Sequence, residues 1–588
     1  MATEQKQKGQ KMKKTGATLV RHALEQLGIR HTFGIPGVHT TEIYDELNRS
    51  ETVTPVLVTH ECGAAFMADA VSRSGADIGT LLIVPAAGVT HAASGIGEAG
   101  IDGIPMLIIS GGIHSASGHR YQLHEMDQHA LLKPITKQTW RVTSHRDIIP
   151  TLYQAYNTAI SGEPGPVFVE IPYNLSNFLG DVDDMPAYQK PDAHPLPDQT
   201  QIDAAAKALA AARQPGIFAG WGAVDAQSAL IELAEHLGAP VATTLQGLSA
   251  FPGDHALHTG MGMGNYAVPA ATNAFAHIDC LLAIGTRFAE IPTGSYGIKP
   301  PKNLIHLDIN PRVFSANYPA SITLEGDAKS LLPALLAAVK AQKSGAADST
   351  ELAKQIAADK AAYRKAWTDH DSGDRVNPEL FFSQLNQRLD DNAIVVADDG
   401  NHTFLVAELM PILGPRNYMS PSDFNAMGYC VPGAIGAKLA NPKRQVVGIV
   451  GDGALLMTGM ELVTAVRQQI GVMIFVFNDG ELSQIAQAQQ IPYNQKTCTV
   501  LGLVNYQAFA QACGAEYVSM AGNEDVGDAL DNALARAAAG HPVLVDVRID
   551  YSKPTRFTQG VVKTNLARMA TRDKVRIVGR ALWRRVRS

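Results

Sequence analysis

Ten stretches of the chain share one pattern, an unbroken apolar and largely β-branched run closed by glycine, proline or an acidic turn: TPVLVTH, TLLIVPA, PMLIISG, PVFVEIP, CLLAIGT, NLIHLDI, AIVVADD, QVVGIVGDG, VMIFVFND and PVLVDVRI. A strand with one face in water alternates polar and apolar residues. Runs without that alternation mark strands buried on both faces, as in parallel sheets covered by helices. Ala/Leu-rich stretches of helical period separate them. The pattern predicts an α/β protein built of doubly wound parallel sheets.

At 588 residues the chain exceeds what one core can organise. Two breaks in composition divide it: the proline-rich YQKPDAHPLPDQTQ from Tyr188 to Gln201, and a polar Ala/Lys stretch from Gln342 to about Pro378. Three α/β domains are expected, over 14–187, 200–340 and 378–550. A basic helical tail follows over 563–588.

The stretch from Gly451 to Gln484 carries the clearest chemistry. QVVGIV and VMIFVF read as neighbouring parallel strands joined by a helix in GMELVTAVRQQ. A right-handed crossover puts the carboxyl ends of both strands on one edge of the sheet, where open α/β folds bind ligands. Asp452 and Asp479 then face one crevice beside Gly451, Gly453 and Gly480, with Ala454 opening a helix. Two hard oxygen ligands next to glycine-rich turns suit a divalent cation that is itself held by phosphate oxygens. The chain has no GxxxxGK[ST] stretch, which argues against a P-loop triphosphate site.

GDG followed twenty-seven positions later by the acid of an Asn-Asp pair resembles the thiamine-diphosphate motif. FGIPGVHTTEIYDEL and VTHECGAAFMADAVSRSG resemble the pyrimidine-binding domain of the acetolactate synthase-like family, DDGNHTF resembles its DxGxHQ turn, and SDFNAMGYCVPGAIGAKLA its apolar wedge. The resemblance spans all three domains, which become pyrimidine-binding, central and pyrophosphate-binding. It implies thiamine diphosphate and Mg²⁺ as cofactors. Pro36, Gly37, Glu61, Asn401, His402, Met427, Gly451, Asp452, Gly453, Ala454, Asp479, Glu481, Leu482 and Ser483 become cofactor contacts, with Asp452, Asp479 and Glu481 at the metal. Glu61 takes the catalytic glutamate's place. A buried carboxyl at a strand end has raised proton affinity and can share a proton with the aminopyrimidine, which activates the thiazolium carbon. The family's active sites form between the first domain of one subunit and the third of another, so a homodimer or homotetramer is implied.

The implied reaction is decarboxylation or C–C cleavage of a small 2-oxo acid, with carboligation to a carbonyl acceptor. Three departures bear on the acceptor. Leu123-His124-Glu125 stands where biosynthetic acetolactate synthases carry Phe-Gln-Glu, and places a titratable His124 at the substrate. Gln484 replaces an apolar residue and Ala488 a tryptophan, so a wider and more polar pocket is expected. Ala86 and Ala87 replace a Gly-Pro-Gly turn, which suggests a stiffer loop. His31, His39, His60 and His114 lie near the expected first-domain loops, where several imidazoles would suit a polar or anionic acceptor, although singly such a histidine is more often structural. The central GTRFAEIPTG lacks the Asp-Asp-Arg of flavin-binding relatives, so FAD is not expected. Two other readings are a flavin-linked 2-oxo acid oxidase at the membrane surface and a catalytically silent cofactor-binding protein.

A net charge of −7 gives no bulk nucleic-acid footprint. Five scattered cysteines without a CxxC pair suggest neither a disulfide framework nor a zinc site. No stretch reaches about 18 apolar residues and the Lys-rich start has no apolar core, so a cytoplasmic location is expected. The tail is the exception to the even charge. From Lys563 it holds nine cations against Asp573, a net of +8 that leaves −15 on the rest. Val575, Val578, Leu582 and Val586 recur at helical spacing beside Trp583. A helix docked on the protein's own acidic surface, or a lid, is the favoured reading, and contact with a membrane surface is the other.

Overall fold

The computed structural model describes residues 12–75, 77–191, 198–264 and 266–587. The Lys-rich start, much of the proline-rich linker and the side chains of Val586 and Arg587 lie outside the described residues. The chain divides into two compact units near residue 193.

The first unit is built on a six-stranded sheet in the order Thr54–Leu57, His31–Gly34, Gly79–Ile83, Met106–Gly112, Pro166–Pro172, Gln138–Arg141. All its pairings are parallel. The second unit holds two more. One runs His258–Met261, Val241–Thr243, Pro215–Ala219, Cys280–Ile284, Asn303–Asp308, Ile322–Glu325, and the other Tyr418–Met419, Ile394–Ala397, Val446–Gly451, Met473–Phe477, Val543–Val547, Glu516–Met520. These too are parallel throughout. Every one of the ten apolar runs is a strand of a sheet, and each interior strand is buried on both faces, as its lack of alternation requires.

Numbered along the chain within each sheet, the first and last have the same strand order, 2-1-3-4-6-5, and the central one has 3-2-1-4-5-6. In the first and last sheets the direction of winding reverses between strands 1 and 3. The loops leaving those strands therefore splay apart into a crevice at the carboxyl edge. In the first unit they follow Gly34 and Ile83, and in the last sheet Ala397 and Gly451.

Two expected boundaries differ. The polar stretch after Gln342 contains a helix, Thr350–Thr368, whose Trp367 is fully buried and accepts through its carbonyl from Asn377 Nδ2 at 3.0 Å. Its buried stripe is narrow, only Ile356 and Trp367, which is why the sequence reads as linker. The tail begins as an integral element: the helix Arg556–Arg568 starts before residue 563, and Phe557 stacks on Phe404 at 3.9 Å. The last helix, Thr571–Arg587, follows it.

Inside the first unit, the helices Glu61–Arg73 and Ala87–Asp102 are locked together by one buried cation. Arg73, 1% exposed, reaches Asp69 at 2.5 Å, Asp102 at 3.0 Å and Glu98 at 3.6 Å. Burial and the neighbouring Asp102 push Glu98 up to about 10, so it is neutral at physiological pH. Removing the cation would strand buried carboxylates. Arg73→Met is expected to cost roughly 3–5 kcal/mol, read as a lower urea midpoint for the first unit. Glu98→Gln, isosteric with the neutral acid, is expected to cost under about 1 kcal/mol, and an equal loss in both would refute this protonation state.

Candidate active site

In the last sheet the crevice is defined by two acids. Asp452 begins the helix Asp452–Thr458, two residues earlier than expected, so Ala454 lies buried in its first turn. Its carboxylate is 2% exposed and accepts three backbone N–H bonds, from Gly453 at 2.8 Å, Gly480 at 2.7 Å and Asp479 at 3.3 Å. The turn that delivers the last two depends on Gly480 at φ 79°, a conformation costly for any side chain. Gly453 lets Leu482 pack close, since a Cβ there would lie 2.3 Å from Leu482 Cδ2 and that side chain would have to shift.

Burial, and then the adjacent Asp479, push Asp452 up to about 6. Burial raises Asp479 as well. One oxygen of Asp479 accepts from the Ser483 hydroxyl, and the other, Oδ1, is buried without a hydrogen-bond partner. Two acids held side by side, one with an oxygen that no protein group engages, form a donor set that suits a cation. Glu481 departs from this pair. Its carboxylate is bound by Lys496 Nζ, at 2.6 Å to Oε2, while it lines the same cleft as Asp479. Among the described residues no three His, Cys, Asp or Glu side chains form a metal cluster. Two carboxylates with the remaining positions left to phosphate and water suit Mg²⁺.

The loop after Ala397 supplies the other wall. His402 is 3% exposed, and a Cβ on Gly451 would meet its Cε1 at 3.1 Å. Its Nε2 is buried without a partner, and burial depresses its basicity to about 3. A neutral imidazole with an idle nitrogen is a polar atom that adds no charge to the crevice. Asn401 Nδ2 donates to Gln487 Oε1 at 3.3 Å. The Tyr551 hydroxyl is also buried and unpartnered, and Asp479 and Tyr551 line a cleft of about 300 Å³ with Arg375 and Ser483. Idle polar atoms and a glycine cradle around one crevice fit a metal-bound diphosphate.

Sequence reading missed the acids that hold the wedge segment. Asp398 is fully buried and accepts from Gly428 N and Cys430 N, both at 2.8 Å, and burial pushes it up to about 7. Arg287 of the central domain pairs with Asp423 at 2.7 Å. Thr458 Oγ1 donates to the Gly428 carbonyl at 2.6 Å. Met427 thus projects from a segment fastened on both sides. Gln484 is half-buried in the helix Ser483–Tyr493, and Ala488 is exposed.

In the first unit Glu61 opens its helix, is 6% exposed, and accepts from or donates to His91 Nδ1 at 3.0 Å through Oε2. His91 stacks on His60 with centroids 4.6 Å apart. His91 was not among the expected residues. AAGVTHAASG was read only for its missing Gly-Pro-Gly, yet a helix starting at Ala87 puts His91 one turn on, beside Gly88, which faces Glu61 Oε1. The Pro36-Gly37 turn is fixed by the Gly37 carbonyl, which accepts from Thr41 Oγ1 at 2.8 Å.

A second histidine pair stands apart from the first. His39 and His124 lie 5.2 Å apart, each with a buried Nδ1 that has no hydrogen-bond partner. Burial, then His124, lower the basicity of His39. His124 has φ 66°, and Ala86 φ 55°, positions where a side chain is strained. Gln128 ties the two loops, accepting from Ala86 N at 3.2 Å and donating to Glu170 at 3.1 Å. His114 packs near Tyr173 at 6.4 Å. His31 is a correction: it opens the strand His31–Gly34, at the edge opposite these loops, and its ring packs on Phe33.

Comparison with known proteins agrees with this geometry. Residues 14–131 match the thiamine pyrophosphate enzyme N-terminal TPP binding domain, 202–335 its central domain, and 398–547 its C-terminal TPP binding domain. The acetolactate synthase large subunit of Corynebacterium glutamicum is 33% identical over 484 residues, covering 82% of this chain and 77% of that one. A probable acetolactate synthase large subunit of Methanocaldococcus jannaschii is 32% identical over 560 residues, with 91% and 92% covered. The acetolactate synthase isozyme 1 large subunit of Escherichia coli is 29% identical over 540 residues, with 91% and 94% covered. With three parallel sheets in the matching order and an acid-lined crevice in the last of them, the chain belongs to the thiamine pyrophosphate enzymes of the acetolactate synthase-like family.

Proposed function

We propose that the chain binds thiamine diphosphate and Mg²⁺, decarboxylates or cleaves a small 2-oxo acid, and joins the resulting fragment to a carbonyl acceptor. The observation that carries this reading is the pairing of buried Asp452 with Asp479, whose Oδ1 is buried without a protein partner. The cofactor supplies a carbon nucleophile that a protein side chain cannot offer. Asp452 and Asp479 hold the cation, and His402 Nε2 and the backbone around Gly451 and Gly453 bind the diphosphate. Glu61 exchanges a proton with the pyrimidine ring, and Met427 packs against the cofactor. The His39–His124 pair gives the acceptor pocket two idle polar atoms, which suit a carbonyl or carboxylate oxygen. The working form is a homodimer or homotetramer, as the resemblance implies.

His91 positions Glu61. Its Nδ1 engages Oε2 and leaves Oε1, beside Gly88, for the ring. A single hydrogen bond to a charged group is worth about 1.5 kcal/mol, or roughly tenfold in rate.

Incubation with pyruvate, 2-oxobutyrate, glyoxylate and 2-oxoglutarate, followed for CO₂ and for ligated products, is expected to show turnover with at least one, and none across the panel would overturn the reading. Glu61→Gln is expected to lower kcat by about 10²–10⁴ with cofactor affinity unchanged. Asp479→Ala is expected to abolish metal-dependent cofactor binding in calorimetry. His91→Gln is expected to lower kcat about tenfold at unchanged cofactor affinity, and an unaltered kcat would remove its positioning role.

A further inference from the structure

The helix Thr571–Arg587 is mounted inside out. A surface helix ordinarily turns its apolar stripe toward the body and its charges toward water. Here the charged side faces in: the Arg580 guanidinium lies 4.3 Å above the Tyr493 ring, and Arg584 Nη1 donates to the Tyr493 carbonyl at 2.8 Å. Ile577 and Ala581, which share that side at helical spacing, are half-buried. The opposite side carries Val575, Val578, Leu582 and Trp583, exposed by 67, 56, 55 and 55%. The expected docking on the protein's own surface is therefore present, but it uses the wrong face to hide the apolar residues.

The flanks of that ridge are cationic. At about 100° per residue, Arg572 and Arg576 fall on one side of it, and Lys574 and Arg585 on the other. Asp573 is the sole acid of the helix. A second copy of this helix is a poor cover for the ridge, because the paired flanks would set like charges against each other. An apolar ridge between two cationic rows, with a tryptophan at its edge, matches the boundary between lipid tails and anionic headgroups. No helix among the described residues is long and apolar enough to cross a membrane, so the contact lies on the surface.

We propose that the C-terminal helix is a membrane-surface anchor: its Arg580–Arg584 face fastens it to the body, and Val575, Val578, Leu582 and Trp583 enter an anionic bilayer whose headgroups the flanking cations meet. The anchor holds the protein against the membrane by one face of one helix per chain. Its contact is reversible and weakened by salt.

Flotation of the full-length protein with vesicles of mixed phosphatidylglycerol and phosphatidylcholine tests it, with pure phosphatidylcholine vesicles as the second arm. Co-flotation with the anionic vesicles is expected, falling roughly tenfold on pure phosphatidylcholine, in high salt, and in the double variant Leu582→Ser, Trp583→Ser. Both substituted residues are 55% exposed, and far-UV circular dichroism should match the parent. The Trp583 emission should shift to the blue on anionic vesicles alone. Absence of flotation, or flotation that the double variant retains, overturns the proposal. A fall in oligomeric state in the double variant by sedimentation velocity, without lipid, overturns it in favour of an interface between copies.

Discussion

Two carboxylates that share a dry crevice repel each other and resist ionisation, and a fold keeps such an arrangement only if something positive completes it. Asp452 and Asp479 are that arrangement. The surrounding structure spends its local order on holding them there: three backbone N–H groups fix Asp452, a glycine in a left-handed turn aims two of those groups, and Ser483 fixes one oxygen of Asp479. What remains without a protein partner is Asp479 Oδ1, with His402 Nε2 and the Tyr551 hydroxyl also idle and buried. In the proposed function these idle atoms are the places where a cation and its anion would meet the protein.

The first sheet repeats the strand order of the last but puts different chemistry at the same edge. Where the last sheet sets carboxylate against carboxylate, the first sets Glu61 against His91. One topology thus carries two different side-chain pairs at its carboxyl edge, in line with the rule that function sits in loops there and not in the sheet itself. Behind the proton site the Arg73 cluster clamps the two helices that carry Glu61 and His91, so the geometry at the edge rests on a buried ion cluster at the other end of the helix.

The sheets were legible because central strands of parallel sheets are buried on both faces, and ten such runs announced themselves. Strands that went unread are short or mixed in polarity, such as HTFG at His31–Gly34 and the two-residue Tyr418–Met419. The aspartates were legible from a spacing that the crossover geometry explains. His91 was hidden because its partner lies thirty residues away on another helix, and no local pattern marks such a contact. Asp398 was hidden because its role is to accept backbone N–H groups from a distant segment. The tail helix was read correctly as amphipathic and basic, but which face it turns inward depends on Tyr493, a tertiary fact.

If the paired aspartates govern the site, cofactor and metal must bind as one. Calorimetric titration of thiamine diphosphate into the metal-free protein, with and without saturating Mg²⁺, measures this directly. The account predicts tight binding with Mg²⁺ and a loss of at least about a hundredfold without it. Equal affinity in the two titrations would contradict it.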